Sequence, residues 1–269
     1  MAVTHFIQTI WSKSILDELE LKCKLVQNCH REYEGDVKQA RSVKILGVGE
    51  PTIGDYTGAD ITIEAMSDAS QELVIDQAKY FAFYVDDVNE AQSVPGLPEK
   101  YQQKSVHKLA VARDTYVANI IKSATNATTA TALSADAVKK AIDDAIVALR
   151  ERNFDEDGVI EITPAVYNLF KNNLITLSTN NPEYIKKGIV GVYDGFEVVM
   201  SNNLAKDTTN SYCCVRGKKA IAFAGQIDKV EACRAEKRFA DIVKGLDVYG
   251  AKVIDNARIQ VIKVPVKAS

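Results

Sequence analysis

The sequence has little of what chemistry usually requires. Three histidines, His5, His30 and His107, share no ligand spacing. Five cysteines, Cys23, Cys29, Cys213, Cys214 and Cys233, make an odd number with no C-x-x-C pair. That argues against a disulfide framework and against a zinc site, and a reducing compartment is the simpler reading. No G-x-S-x-G elbow, phosphate-binding P-loop or H-E-x-x-H helix occurs. Gly47-Val48-Gly49 is followed by Pro51, Gly54 and Gly58, so no helix opens there to hold a dinucleotide phosphate. We therefore assign no catalytic, cofactor-binding or metal-ligating residue and expect no enzyme.

Excess positive charge is also missing. The 269 residues carry 33 basic and 36 acidic side chains, a net charge of -3, unlike a dedicated nucleic-acid binder. No apolar run approaches the ~20 residues that span a bilayer. Gln8, Ser12, Lys13 and Ser14 interrupt any apolar core of a signal peptide. What remains is 46% hydrophobic, enough for a sizeable core in one large or two small domains.

The longest helix signal runs from Pro98 to about Lys122. Val106, Leu109, Ala110, Val117, Ile120 and Ile121 mark one face, and Pro98 suits a first helical position. Such a helix is roughly 37 Å long, the spine of a domain. Before it, residues 6–29 read as an amphipathic helix through Ile7, Trp11, Ile15 and Leu19. Residues 32–70 are rich in glycine, with alternating stretches at Val43-Lys44-Ile45 and Ile61-Thr62-Ile63. They predict a β-ribbon arm with little core of its own. Residues 71–85 predict one or two strands through Leu73, Val74, Ile75, Tyr80, Phe81, Phe83 and Tyr84. Asp86-Asp87 and Asn89-Glu90 then read as a polar cap, since adjacent carboxylates do not face each other.

After the spine, Ser134 caps a helix over 135–152 with Val138, Ala141, Ile142, Ala145 and Leu149 buried. A strand is expected over 159–162, and a helix from Pro164 through Phe170 with Thr163 as its cap. Asp194-Gly195 between apolar runs predicts a tight hairpin. Tyr212 to Val215 predicts a strand whose adjacent cysteines point to opposite faces. Lys218 to Ala224 reads as a short helix. The close, 227–264, is strand-rich with a turn at Asp255-Asn256, and its strands are expected to pair with those at 71–85.

This order of elements resembles the major capsid proteins of tailed bacteriophages, the Hong Kong 97-type fold. The local matches are FAFYVDDVNEAQ, GIVGVYDGFEVVMSNNL and AIAFAGQIDKVEACRAEKRFADIVKGLDVYGAKVI. The resemblance covers nearly the whole chain. It implies an α+β fold with an N-terminal arm at 1–31 and an extended loop at 32–70. It further implies a peripheral domain at 71–125 plus 236–269, carrying the spine helix, and an axial domain at 126–235. The implied function is self-assembly into an icosahedral shell, built of hexamers and pentamers, around a double-stranded DNA genome. Packaged DNA would be met by non-specific contact. Scaffold, portal and decoration proteins are the implied further partners, and no membrane is. Assembly would take place in the host cytoplasm and the product would be the virion capsid. Starting almost at the arm helix, the chain would be a mature product or one served by a separate scaffold. Some such proteins link a lysine of the extended loop to a neighbour's asparagine; Lys44 and Asn256 are of those types, without a positional match. Two alternatives stand beside this reading: an encapsulin-type compartment around a cargo enzyme, and an unrelated cytoplasmic α+β enzyme.

Overall fold

The computed structural model describes residues 19, 22–32, 42–45, 53, 70–86, 97–176, 191–234 and 240–266. Within them, three sheets and three α-helices form a mixed α+β architecture. A two-stranded ribbon pairs β1 (Ser42–Ile45) with β2 (Gln71–Val74), antiparallel. A three-stranded antiparallel sheet has β3 (Gln77–Asp86) at one edge, β10 (Ala240–Val253) in the centre and β9 (Ile221–Arg234) at the other edge. The spine is α1 (Leu97–Lys122).

The third sheet is mixed and six-stranded. It contains β4 (Ala127–Thr129), β5 (Gly158–Ile162), β6 (Val192–Tyr193), β7 (Phe196–Met200), β8 (Asn210–Gly217) and β11 (Ile259–Pro265). Their order is β4-β11-β8-β5-β7-β6, with β4–β11 and β5–β7 parallel. Two helices, α2 (Ala135–Arg150) and α3 (Pro164–Thr176), pack on one side of it.

Alternation along β8 and β11 sorts side chains between two cores, as a period of two demands. Cys213, Val215, Ile262 and Val264 join α2 and α3 in one core. Tyr212, Cys214, Ile259 and Val261 join α1, β9 and β10 in the other. The neighbouring cysteines thus lie on opposite faces, as the strand pattern requires. Ser134 accepts the Ala137 N–H at the start of α2, and the buried face of that helix adds Ile146 to the expected residues. The Asp194-Gly195 hairpin is present, with φ of 51° and 86° at its two central residues. Both values fit the tight turn whose twist matches that of its strands.

Three expectations change. The stretch 218–224 is no helix: a turn at 218–220 leads into β9, whose Ile221 to Ala224 pair with Val253 to Gly250. Short apolar runs of this kind satisfy helix and buried strand equally, and a vacant sheet edge decides for the strand. Among the closing strands, β10 pairs with 77–86, but β11 enters the six-stranded sheet between β4 and β8. The described partner of Val43-Lys44-Ile45 is β2, while 61–63 lie outside the described residues. The N-terminal helix is helical at Leu19 and Lys22 but gives way to a bend and a 3-10 turn at Val26–Asn28. Residues 87–90 and Gly47 to Gly49 also lie outside the described residues.

Candidate functional site: a polar junction that seats the N-terminal segment

The apolar stripe of α1 has a polar step in it. Val106, Leu109, Ala110, Val117, Ala118 and Ile121 are buried, and so are Arg113 and Asp114, one turn on from Leu109 and Ala110. Helical spacing puts both on the core-facing stripe. Arg113 reaches Asp247 on β10: its Nε donates to Asp247 Oδ2 at 2.9 Å, and its Nη2 donates to Oδ1. The guanidinium also lies over the rings of Phe223 and Tyr249, 5.6 and 5.8 Å from their centroids. A paired carboxylate and two aromatic faces let this cation lie in the interior.

Asp114 faces the N-terminal segment. Its Oδ1 accepts the N–H groups of Leu25 and Val26, at 3.1 and 3.3 Å. Its Oδ2 accepts from Lys24 N–H and Asn203 Nδ2, each at 3.1 Å. Burial pushes this carboxyl above the usual range, against the downward pull of the four N–H donors. The carboxylate sits at the start of the Val26–Asn28 turn, where free N–H groups cluster.

A second ion pair grips the other end of the same turn. Arg216, on β8, is fully buried with Glu161, on β5. Their strands are antiparallel neighbours, with Val159 opposite Arg216 and Glu161 opposite Cys214, so all four share one face. Arg216 Nε donates to Glu161 Oε2 at 3.0 Å and Nη2 donates to Oε1 at 2.7 Å. Nη1 then donates to the Asn28 carbonyl at 2.6 Å, and Nη2 to the Leu25 carbonyl at 3.1 Å. Asn28 Nδ2 returns a bond to Glu161 Oε1 at 3.2 Å. Burial opposes the Arg216 charge, but Glu161 more than offsets it and holds the guanidinium protonated.

Residues 24–30 are thus held by their backbone. A carboxylate takes the N–H groups of Lys24, Leu25 and Val26, and a guanidinium takes the carbonyls of Leu25 and Asn28. His30 then adds a parallel bridge to β9, its N–H donating to Ile221 O and its carbonyl accepting from Phe223 N–H. These tertiary bonds are why the expected helix stops near Lys22: the amides of 24–26 are spent on Asp114. The junction joins α1, both larger sheets and the N-terminal segment. Burial raises Cys23 to about 12 and Cys29 to about 11, so both thiols stay protonated and inert.

Sequence reasoning missed all five charged residues, Arg113, Asp114, Glu161, Arg216 and Asp247. A signal was present: Arg113 and Asp114 interrupt an apolar stripe at buried spacing, and Glu161 stands alone in the otherwise apolar β5. His107 is exposed on the outer face of α1, as expected. Lys44 and Asn256 are both exposed, the first on β1, the second at the turn before β11. Among the described residues no group of His, Cys, Asp and Glu is placed to hold a metal ion. No helix among them is long and apolar enough to cross a membrane.

The architecture is that of the Hong Kong 97-type capsid proteins, a class that builds shells. A model of the phage capsid protein family matches residues 68–261, more than half of the chain. The chain is 28% identical to a protein of Mycobacterium phage Che8, with a TM-score of 0.74 over 88% of this chain and 90% of that one. Against the capsid structure of cyanophage P-SCSP1u the identity is 19% and the TM-score 0.68, over 86% and 85% of the two chains. A virus-like particle from Pyrococcus furiosus shares the fold at 14% identity and a TM-score of 0.60, over 95% and 99%. No curated protein matches the sequence. The chain belongs to the phage capsid protein family, as a major capsid protein of a tailed phage. Its role is structural: it forms the capsid shell.

Proposed function

We propose that this chain closes on itself, in hexamers and pentamers, into an icosahedral shell around double-stranded DNA, without enzymatic activity of its own. The family match over 68–261 is the observation that carries this reading. Rings of five and six need heterologous contacts that close, and one chain supplies both sides of each. The net charge of -3 suits a container that meets DNA loosely, because phosphate contacts dominate tight binding. In this reading α1, β3 and β10 belong to a peripheral domain and β5 to β8 to an axial domain. The arm is at 1–31 and the extended loop at 32–70. Assembly takes place in the host cytoplasm, with scaffold and portal proteins as partners.

An encapsulin-type shell is the second reading, favoured only by the likeness to the archaeal virus-like particle. Contents separate the two. Particles built of this chain and treated with nuclease are expected to retain protected double-stranded DNA of one length. Particles that protect a cargo enzyme and no DNA overturn the genome-shell reading.

A further inference from the structure

Helix α1 separates its charges between two faces. On the core-facing stripe Arg113 is paired with Asp247, and Asp114 accepts amides of the N-terminal segment. The opposite stripe runs through Lys104, Lys108, Val111, Thr115 and Lys122, residues three, four or seven apart, with His107 beside it. Lys104, His107, Lys108, Thr115 and Lys122 are exposed. From Gln103 to Lys122 the only carboxylate is the buried Asp114, so the exposed stripe holds lysines with no acidic residue among them.

The surroundings add to this charge. Lys22 of the N-terminal segment reaches the helix, its Nζ donating to the Gln103 carbonyl at 3.4 Å. Lys79 lies opposite Asp247 in the register of β3 and β10, so it is on the α1 side of the sheet, exposed on the edge strand. Two carboxylates border the stripe, both towards its C-terminal half, and each is engaged. Asp207 lies 3.9 Å from Lys122 Nζ and accepts the Tyr212 hydroxyl. Asp76 accepts the Tyr116 hydroxyl at 2.8 Å. Neither Lys104 nor Lys108 has an ion pair among the described residues. A chain of net charge -3 thus gathers unpaired positive charge along one side of its spine helix.

We infer that this exposed stripe of α1, centred on Lys104 and Lys108, faces the interior of the shell and meets the phosphates of packaged double-stranded DNA. The inference rests on the genome-shell reading and adds which side of the subunit is turned inward. A shell wall meets the polyanion on one side only, and unpaired lysines lower the energy of that side against it. From Lys104 to Lys122 the stripe spans about 27 Å, at about 1.5 Å per residue. That is about eight steps of a duplex lying along it, at about 3.4 Å each. Phosphate contacts carry no sequence information, so the contact suits a genome of any sequence. A few lysines per copy bind weakly, and repetition in every subunit supplies the rest. An acidic helix would meet the same charges, but helix docking needs apolar anchors, and the stripe offers only the half-buried Val111 and Ala112.

Lysine acetylation with a small reagent, followed by peptide mass mapping, is run on DNA-filled particles of this chain and on the same particles emptied of DNA. Lys104 and Lys108 are expected to react at least threefold more slowly in the filled particles. Lys44 on β1 and Lys140 on α2, both exposed, are expected to react equally in the two. Equal rates at Lys104 and Lys108 overturn the inference. Protection that survives removal of the DNA also overturns it, since a protein then covers the stripe. In parallel, the dissociated chain is titrated with a short labelled DNA duplex at several salt concentrations. Lys104→Gln with Lys108→Gln is expected to leave melting unchanged and to reduce the slope of log affinity against log salt by about 1.8, at about 0.9 per phosphate contact. Lys104→Arg with Lys108→Arg keeps the parental slope. A parental slope in the glutamine variant refutes the contact. Unprotected lysines in DNA-filled particles defeat this inference alone; particles that never hold duplex DNA defeat the genome-shell reading with it.

Discussion

Replacing Arg216 with methionine tests whether the junction holds the two sheets and the N-terminal segment together. The substitution keeps much of the apolar stem and removes five donated bonds: two to Glu161, one each to the carbonyls of Leu25 and Asn28, and one to the Cys29 sulfur. Glu161 is left buried, with only Asn28 Nδ2 and the Cys214 thiol as donors. Breaking a buried pair by removing one partner costs about 3–5 kcal/mol, because a charge is stranded. Whole domains are stable by about 5–15 kcal/mol, so the loss is a large fraction. Urea unfolding of the dissociated chain reads it as a lower midpoint at unchanged slope. Adding Glu161→Leu to Arg216→Met removes the stranded carboxylate and is expected to recover part of the loss. About 1–3 kcal/mol should remain for the buried Asn28 carbonyl, which loses its donor, whereas the Leu25 carbonyl keeps the Asn28 N–H and the Cys29 thiol. Amide exchange should accelerate at Leu25 and Val26 in both variants. A cost below about 1 kcal/mol for Arg216→Met, or a double variant less stable than the single, refutes the clamp.

Four further outcomes are expected. Thiol titration of the dissociated native chain should count one fast cysteine, Cys233, and all five after unfolding; a second fast thiol contradicts the burial of the others. Gly195→Val, at φ 86°, should cost about 1–2 kcal/mol in thermal unfolding, and an unchanged melting temperature would deny the left-handed turn. Gly250→Ala should force the ribbon off the sheet at Val74 and expose 71–75 to proteolysis, whereas parental resistance would show the gap is wider. Asp207 is held well below the usual carboxylate range, chiefly by the Tyr212 hydroxyl and then by the Asn210 and Thr209 amides. Its native form binds its proton less readily than its unfolded form, so its contribution is present above the ordinary aspartate range and lost as pH falls from that range through the lower native value. Asp207→Asn should flatten the acid limb of the stability profile, and a parental limb would remove Asp207 as its source.

Much of the architecture was legible because it follows from periodicity. The spine helix, the cap at Ser134, the Asp194-Gly195 hairpin and the opposed cysteines each rest on local spacing. What was not legible is tertiary. Nothing local tells Ile221-Ala222-Phe223-Ala224 that β10 offers it a partner. Nor does local sequence bring β11 to β8, or stop the N-terminal helix before Lys24. The junction was half legible. Arg113, Asp114 and Glu161 break apolar patterns at buried positions, but their partners Asp247, Arg216 and the backbone of 24–28 come from distant parts of the chain. The stretch 77–86 was read as strand, and only the pairing with β10 makes it an edge of the three-stranded sheet of the described residues.

The central claim is that copies of this chain build a closed shell. Electron microscopy of particles purified with this chain as their main component tests it most directly. Closed icosahedral particles are expected, with symmetrised density that accepts the spine helix and both larger sheets in every subunit. Small discrete oligomers, or a shell whose density these sheets do not fit, would contradict it.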